Sequence, residues 1–475
     1  VAYRYEDDIT RKDLLRLIAK ASRQGLLGLF AGAGLSIDVL GKDKTLNWRQ
    51  LLQRCATVME RGEIDQEKLF GTDAMQHLDY PGIATELCHL YAKSHNDISE
   101  TQSIQVLKQV VAEQIAGYPD PSKEKGGRYE EYFEKLNFDW IVTTNYDSVV
   151  ETLLQGKALP LLTHDAFVNV ANLTPVCHIH GSAMDPSSIV ITQDDYTRFF
   201  RAGNYWQARM PFLIKEHLVL MLGYGIGDSN ITSAMDWCDS VYKNDTPEYS
   251  YPVVQVNYTD SDNASEKPYI KHYGDSEIYV IDTNSLTSLL DELMTVCDAV
   301  DREREQLERE IENKRNMFNS SDDKYVLSFI KNETFRHRVL DFMKELGSEY
   351  GFLWSDFLSF FDRVIAMAYD KPTIIWDFPK YAAWLRMLID IGARVDPLRI
   401  PPKLFHQCCD KFNDVVGYIS YDKGSSWEAA DVWRDRGDEI GTSFQLQMYR
   451  YFVAQRLDDS RKLLEKKFSK LRDLK

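Results

Sequence analysis

Hydrophobic positions change their spacing several times along this chain, and each change predicts an element. Leu14, Leu15, Ile18 and Ala21 share one helical face behind Thr10, with Asp13 completing an imperfect capping box and Gly25 ending the run. Leu26–Phe30 then reads as a short buried strand that runs straight into glycine. Residues 48–117 read as helical: Trp48, Leu51, Leu52 and Cys55 lie on one face, Pro81 sits at a helix start, and Ile104, Leu107, Val111 and Ile115 mark another stripe. Gly117–Arg128, rich in Pro, Gly and Lys, reads as a loop. Strands are predicted over Trp140–Thr143, Pro175–Ile179, Ile189–Thr192, Leu218–Leu222, Val253–Asn257 and Ile278–Ile281, most of them separated by helical stretches. That alternation predicts an α/β domain with a mostly parallel sheet covered on both faces.

The pattern shifts at Thr283, after which helix dominates. Asp298–Arg315 is almost entirely charged, with a thin seam of Val300, Leu307 and Ile311. It reads as a solvated linker helix or as a short coiled contact with a partner chain. Beyond it, Phe329, Phe335, Leu340, Trp354, Phe357, Phe360 and Phe361 recur at helical spacing and read as the core of an all-helical domain. The expected organisation is a catalytic domain over 1–290, a charged helical linker over 291–324 and a helical regulatory or assembly domain over 325–475.

Composition narrows the function classes. The 475 residues exceed one ordinary core. A formal charge of −17 argues against a broad nucleic-acid or anionic-membrane footprint, so an anionic ligand would be met by backbone N–H groups or a helix N-terminus. The seven cysteines form no C-x-x-C pair, which points to reduced thiols in a cytoplasmic protein, with Cys408 and Cys409 packed in a helix. The apolar run at Leu218–Leu222 is too short to span a bilayer, and the polar opening Tyr3–Asp8 is not expected to be a signal peptide.

Four motifs carry candidate chemistry. Phe30-Ala31-Gly32-Ala33-Gly34-Leu35-Ser36 follows a strand, where small residues let a pyrophosphate approach the backbone; a tight turn without ligand is the plain alternative. The third glycine of a dehydrogenase fingerprint is missing, and Asp38 and Val39 follow Ile37 instead. Thr143-Thr144-Asn145-Tyr146-Asp147 ends a strand and offers an amide and a carboxylate, either of which would also cap a helix beginning near Ser148. In His178-Ile179-His180-Gly181 an extended backbone would put both histidines on one face, as a general base or as metal ligands, with His178 the better structural histidine. Leu222-Gly223-Tyr224-Gly225 brings a second glycine loop from a buried strand, Asp228 opens a helix after it, and Asn257 ends the next strand.

Together with Trp48-Arg49-Gln50-Leu51-Leu52, the four motifs resemble the sirtuin fold, and specifically the bacterial sirtuin-like effectors of anti-phage defence, over roughly Thr10 to Asn284. The resemblance implies a Rossmann-like sheet with helical insertions, and NAD+ as substrate. It places Gly32, Ala33, Gly34 and Ser36 at the NAD phosphates. Thr144, Asn145 and Asp147 fall by the ribose and nicotinamide, and His180 is the implied catalytic histidine. Gly223, Tyr224, Gly225 and Asn257 are placed on the adenosine side. Protein deacylases of the family continue the glycine loop with G-I-P-D-F-R and carry a four-cysteine zinc module; here Ile37-Asp38-Val39-Leu40-Gly41 follows and the cysteine pairs are absent, so no zinc is expected.

The expected reaction is cleavage of the nicotinamide–ribose bond to give nicotinamide and ADP-ribose, with Asn145, His180 and Asp147 as catalytic residues. A deacylase, an ADP-ribosyltransferase, or a sensor or scaffold without turnover are the rival readings. Unchecked NAD loss would kill the host, so gating is expected through a homo-oligomer or a second defence protein. The resemblance suggests a HerA-type hexameric ATPase or a nucleotide-pyrophosphatase-like subunit, with neither nucleic acid nor membrane as a direct partner.

Overall fold

The computed structural model describes residues 6, 8–60, 69–70, 79–95, 97–121, 125–199, 205–224, 251–259, 264–273, 276–347, 353–370, 378–419 and 426–474. They divide into two compact units, Val1–Arg302 and Glu303–Lys475. In the first unit the strands are β1 (Leu27–Ala31), β2 (Trp140–Thr143), β3 (Ala158–Leu161), β4 (Thr174–His178), β5 (Leu218–Leu222), β6 (Val253–Tyr258), β7 (Tyr269–Tyr273) and β8 (Ser276–Thr283). They form one sheet in the order β3-β4-β2-β1-β5-β6-β8-β7. Every pairing is parallel except β7 with β8. The chain builds outward from β1 on one side and then returns to its other side at β5. The junction of β1 and β5 is therefore a topological switch point, where open α/β sheets bind ligands beyond the carboxyl ends of the strands.

Burial on both faces explains the unbroken apolar runs. Leu27, Leu29, Leu218, Leu220 and Leu222 point into one core with Leu14, Leu15 and Ile18 of helix Arg11–Gln24. Phe30, Val142, Val219 and Met221 point into the other, alongside Trp140 and Trp206. Such strands lose their polar alternation because neither face meets water. Gly28 leaves room for the Trp140 ring, since a Cβ there would lie 2.1 Å from it. Helix Arg11–Gln24 has the predicted ends: the Thr10 side chain accepts from the Asp13 N–H, and Gly25 closes it in the left-handed region.

The predicted strand at Ile189–Thr192 does not form. Ile189 and Ile191 are buried, but among helices, with Leu51, Leu52 and Val111. Val190 donates to the His180 carbonyl and accepts from the Tyr146 hydroxyl, while Asp195 takes the Ile191 and Thr192 N–H groups to start helix Gln193–Phe199. With loop atoms and a carboxylate as partners, this backbone joins no ladder. Two strands went unpredicted, β3 and β7. Both lie at the sheet's edges and are partly exposed, so neither carries the apolar run that marks a central strand.

Helices Trp48–Glu60, Tyr80–Ser94 and Glu100–Ala116 form a lobe whose core includes Tyr146 of the β2 loop. Trp48 stacks on Tyr80 and meets Tyr146 edge-on.

Helix Leu286–Asn319 runs unbroken from the first unit into the second. Its first part enters the α/β core through Leu289, Leu290, Leu293, Cys297 and Val300, and Arg23 pairs with Asp301 at 2.5 Å, while most of the charged stretch Asp298–Arg315 is exposed. The described residues of the second unit are helical, packed around Phe329, Phe357, Phe360, Phe361 and Trp384. Within it, Asp390 is fully buried and accepts from Arg336 at 2.6 Å, His337 at 2.9 Å and Arg436 at 2.9 Å. Glu333, His337 and Asp390 bring ligand-type atoms within metal-binding reach of one another, but the two guanidinium groups already neutralise Asp390. Cys408 and Cys409 are buried in helix Pro402–Ile419, and burial pushes both thiols well up; Cys238 lies outside the described residues. No described helix is long and apolar enough to cross a membrane.

Candidate active site

The first and last of the four motifs meet at the switch point. The Gly32 N–H donates to the Leu222 carbonyl at 3.0 Å, and the Gly34 N–H to the Gly223 carbonyl at 2.9 Å. A Cβ on Gly32 would lie 2.4 Å from the Gly223 oxygen, and one on Gly223 only 2.0 Å from the Leu35 nitrogen. The glycines thus serve first to lock two loops together. Both glycine amides are spent on that contact, which alters the expectation that they meet phosphate; what remains beside them is the N-terminal turn of helix Ala33–Leu40. Asp38 of that helix accepts from the Tyr129 hydroxyl at 2.6 Å and ties it to helix Lys125–Lys135. Gly223 also has a φ of +60°. Gly223→Ala is expected to cost at least about 1–3 kcal/mol, read as a lowered unfolding midpoint. An unchanged midpoint would show that the loops separate freely.

Ser36 links the first motif to the second. Its hydroxyl donates to Asp147 Oδ1 at 3.1 Å and accepts from Asn145 Nδ2 at 3.1 Å. Thr143 spans the strand ends, its hydroxyl donating to the Ala31 carbonyl and accepting the Asn145 N–H. Thr144, half-buried, follows it. Asp147, not Asn145, does the helix-capping work, accepting the Val149 N–H at 3.1 Å. Burial pushes its carboxyl up and the Glu151 charge adds to this, outweighing the Val149 N–H, the Ser36 hydroxyl and His178.

The two histidines do not share a strand face. β4 ends at His178, and the Gly181 N–H donates back to the His178 carbonyl in a turn that needs the +83° φ of Gly181. His180 sits in that turn. Its ring is nearly buried and meets the Tyr196 ring edge-on at 5.2 Å. The Ala183 N–H donates to the Tyr146 carbonyl, joining this turn to the Asn145 loop. Tyr196 is carried by helix Gln193–Phe199, which a buried Lys108–Asp195 ion pair of 2.9 Å fastens to the helical lobe. His178 is held on both sides, at 3.2 Å from the Asn145 carbonyl and 2.5 Å from Glu151 Oε1.

The adenosine-side residues are less uniform. Tyr224 turns its ring into the core, 6.0 Å from Phe30, and its carbonyl accepts from Gln255, so backbone is what it would show a ligand. Asn257 is the next-to-last residue of β6, one strand beyond β5, with its amide donating to Asp282 at 2.8 Å. Gly225 and Asp228 lie outside the described residues. Sequence reasoning missed Tyr196, the Lys108–Asp195 pair and the role of Glu151. Of these, Glu151 alone left a trace, as an acid on the first helical turn after the Asn145 loop.

The family model described as a SIR2-like domain matches residues 139–276, from the start of β2 into β8. Residues 139–276 of the α/β unit are thus similar to a SIR2-like domain. Two bacterial proteins are also similar to this chain. Defense-associated sirtuin 2 of Bacillus subtilis is 23% identical over 223 residues, which are 46% of this chain and 21% of that protein. The NAD(+) hydrolase ThsA of Enterococcus faecium is 24% identical over 267 residues, 53% of this chain and 49% of that protein. The aligned part is thus about a fifth of one relative and about half of the other.

Proposed function

We propose that the SIR2-like domain hydrolyses NAD+ at the nicotinamide–ribose bond, releasing nicotinamide and ADP-ribose, and that it serves anti-phage defence by depleting NAD+. The observation that carries this reading is the Ser36–Asn145–Asp147 group beside the β1–β5 junction. An amide and a carboxyl held there would fix the ribose and the carboxamide, so the reacting bond is presented in one orientation. Asn145 positions the ribose and the attacking water. His180, at the neighbouring turn, takes the proton from a ribose hydroxyl or from that water. As the C–N bond breaks, nicotinamide leaves neutral with the bonding pair, and water adds to the oxocarbenium-like carbon. Similarity to a protein named defense-associated sirtuin 2 and to one named NAD(+) hydrolase supports both the substrate and the setting.

The enzyme is proposed to be cytoplasmic and gated, through a homo-oligomer or a second defence protein such as a HerA-type ATPase or a nucleotide-pyrophosphatase-like subunit. The deciding experiment follows NAD+ with the full chain, alone and with the product of its genomic neighbour, alongside oligomeric state. Equimolar nicotinamide and ADP-ribose are expected. Full turnover in both Asn145→Ala and His180→Ala would overturn the site. Binding of NAD+ with no loss in any assembly would leave a sensor.

A further inference from the structure

We propose that His178 and Glu151 form a buried positioning pair that holds the Asn145 backbone, and so its reacting side chain, in place only while the His178 ring carries both of its protons. The proposal rests on the reading of Asn145 given above.

Both hydrogen-bond partners of His178 are acceptors: the Asn145 carbonyl at Nδ1 and Glu151 Oε1 at Nε2. A neutral imidazole has one N–H, so it satisfies one of them and turns a lone pair on the other. The ring is 1% exposed, so water cannot replace the lost bond. Glu151 Oε2 is buried with no hydrogen-bond partner among the described residues, so the carboxylate's one bond is the one to the ring. The charged groups facing the ring are Glu151, from helix Val149–Leu153, and Asp147, from the loop before it. Burial of the ring opposes protonation, but the Glu151 bond and charge, the Asn145 carbonyl and the Asp147 charge outweigh it, and the ring holds its proton above the ordinary histidine value.

Asn145 is then fixed at three points: its N–H on Thr143, its carbonyl on His178 and its amide on Ser36. The carbonyl is the one fixed by a titrating group. The neutral ring keeps its one N–H on the charged Glu151, the stronger acceptor, so loss of the proton frees that peptide without touching Ser36 or the glycine loops. The pair therefore acts on turnover more than on NAD+ affinity, and its contribution is lost as pH rises through the raised histidine value.

The test uses the full chain in whatever assembly cleaves NAD+. His178→Leu is expected to lower kcat by about 10- to 100-fold with KM little changed. Glu151→Gln is the discriminating variant. Its amide N–H can donate to Nε2 of a neutral ring, leaving Nδ1–H on the Asn145 carbonyl. It is expected to keep kcat near pH 7 and to lose the alkaline fall expected of the native protein. Imidazole nitrogen-15 spectra of the native protein, which do not depend on activity, are expected to show His178 protonated on both nitrogens at pH 7. A singly protonated ring at that pH, a native pH profile in Glu151→Gln, or unchanged kcat in His178→Leu would each overturn the proposal. Should His178→Leu not fold, the spectra and Glu151→Gln still decide. Failure of the underlying reading looks different: Asn145→Ala would then turn over fully, whereas failure of the pair alone leaves Asn145→Ala inactive.

Discussion

His180→Ala is expected to lower nicotinamide release by about 10²–10⁴-fold, the usual contribution of a positioned acid–base group. The substitution removes the ring but leaves the turn. Gly181 supplies the left-handed residue, and the bond from Val190 goes to the His180 backbone carbonyl, which alanine retains. The ring's edge-on contact with Tyr196 is lost, a packing cost that a thermal melt would register separately. A clean result is therefore a folded protein that still binds NAD+ and no longer cleaves it. Turnover within threefold of the native protein would move the acid–base role elsewhere.

Asp390→Asn is expected to destabilise the helical unit by about 3–5 kcal/mol, because it leaves the buried Arg336 guanidinium without its counter-charge. Arg336 is 3% exposed and Asp390 fully buried, so solvent cannot take over. The sign with pH follows. Burial alone would push the Asp390 carboxyl up, but the Arg336 charge and the bonds from His337, Arg336 and Arg436 hold it below the usual aspartate value. Its stabilising contribution is complete above that usual value and is lost only as pH falls through the depressed one. Urea unfolding is the measurement, since guanidinium salt would screen the pair. An unchanged midpoint would mean the cations find other partners. An Arg336→Met, Asp390→Leu double variant is expected to recover much of the loss, since burial of the pair carries its own desolvation cost.

The central strands and the second unit's helices were legible because burial on both faces of a sheet, or on one stripe of a helix, writes itself into apolar spacing. Trp140–Thr143 and Leu218–Leu222 have the predicted limits for that reason. Ile189–Thr192 misled because buried alternation looks the same whether the backbone pairs with a strand or with a loop and a carboxylate. The positions of Ser36, Asn145 and Asp147 beyond the carboxyl ends of β1 and β2 were readable, since each comes shortly after a strand. Their mutual bonds were not: Ser36 and Asp147 are 111 residues apart, and only the return of the chain to the β1 edge brings them together. The same holds for His178 and Glu151, separated by 27 residues.

Helix Leu286–Asn319 has a practical consequence for dissecting this protein. At 34 residues it is about 51 Å long. A fragment ending near residue 290 would strip the sheet of Leu293, Cys297 and Val300, and with them the Arg23–Asp301 clamp. Such a fragment would expose a greasy stripe and precipitate for reasons unrelated to catalysis. Cutting after Arg302 instead keeps that side of the sheet covered, so whether the α/β unit works on its own should be asked of the longer piece.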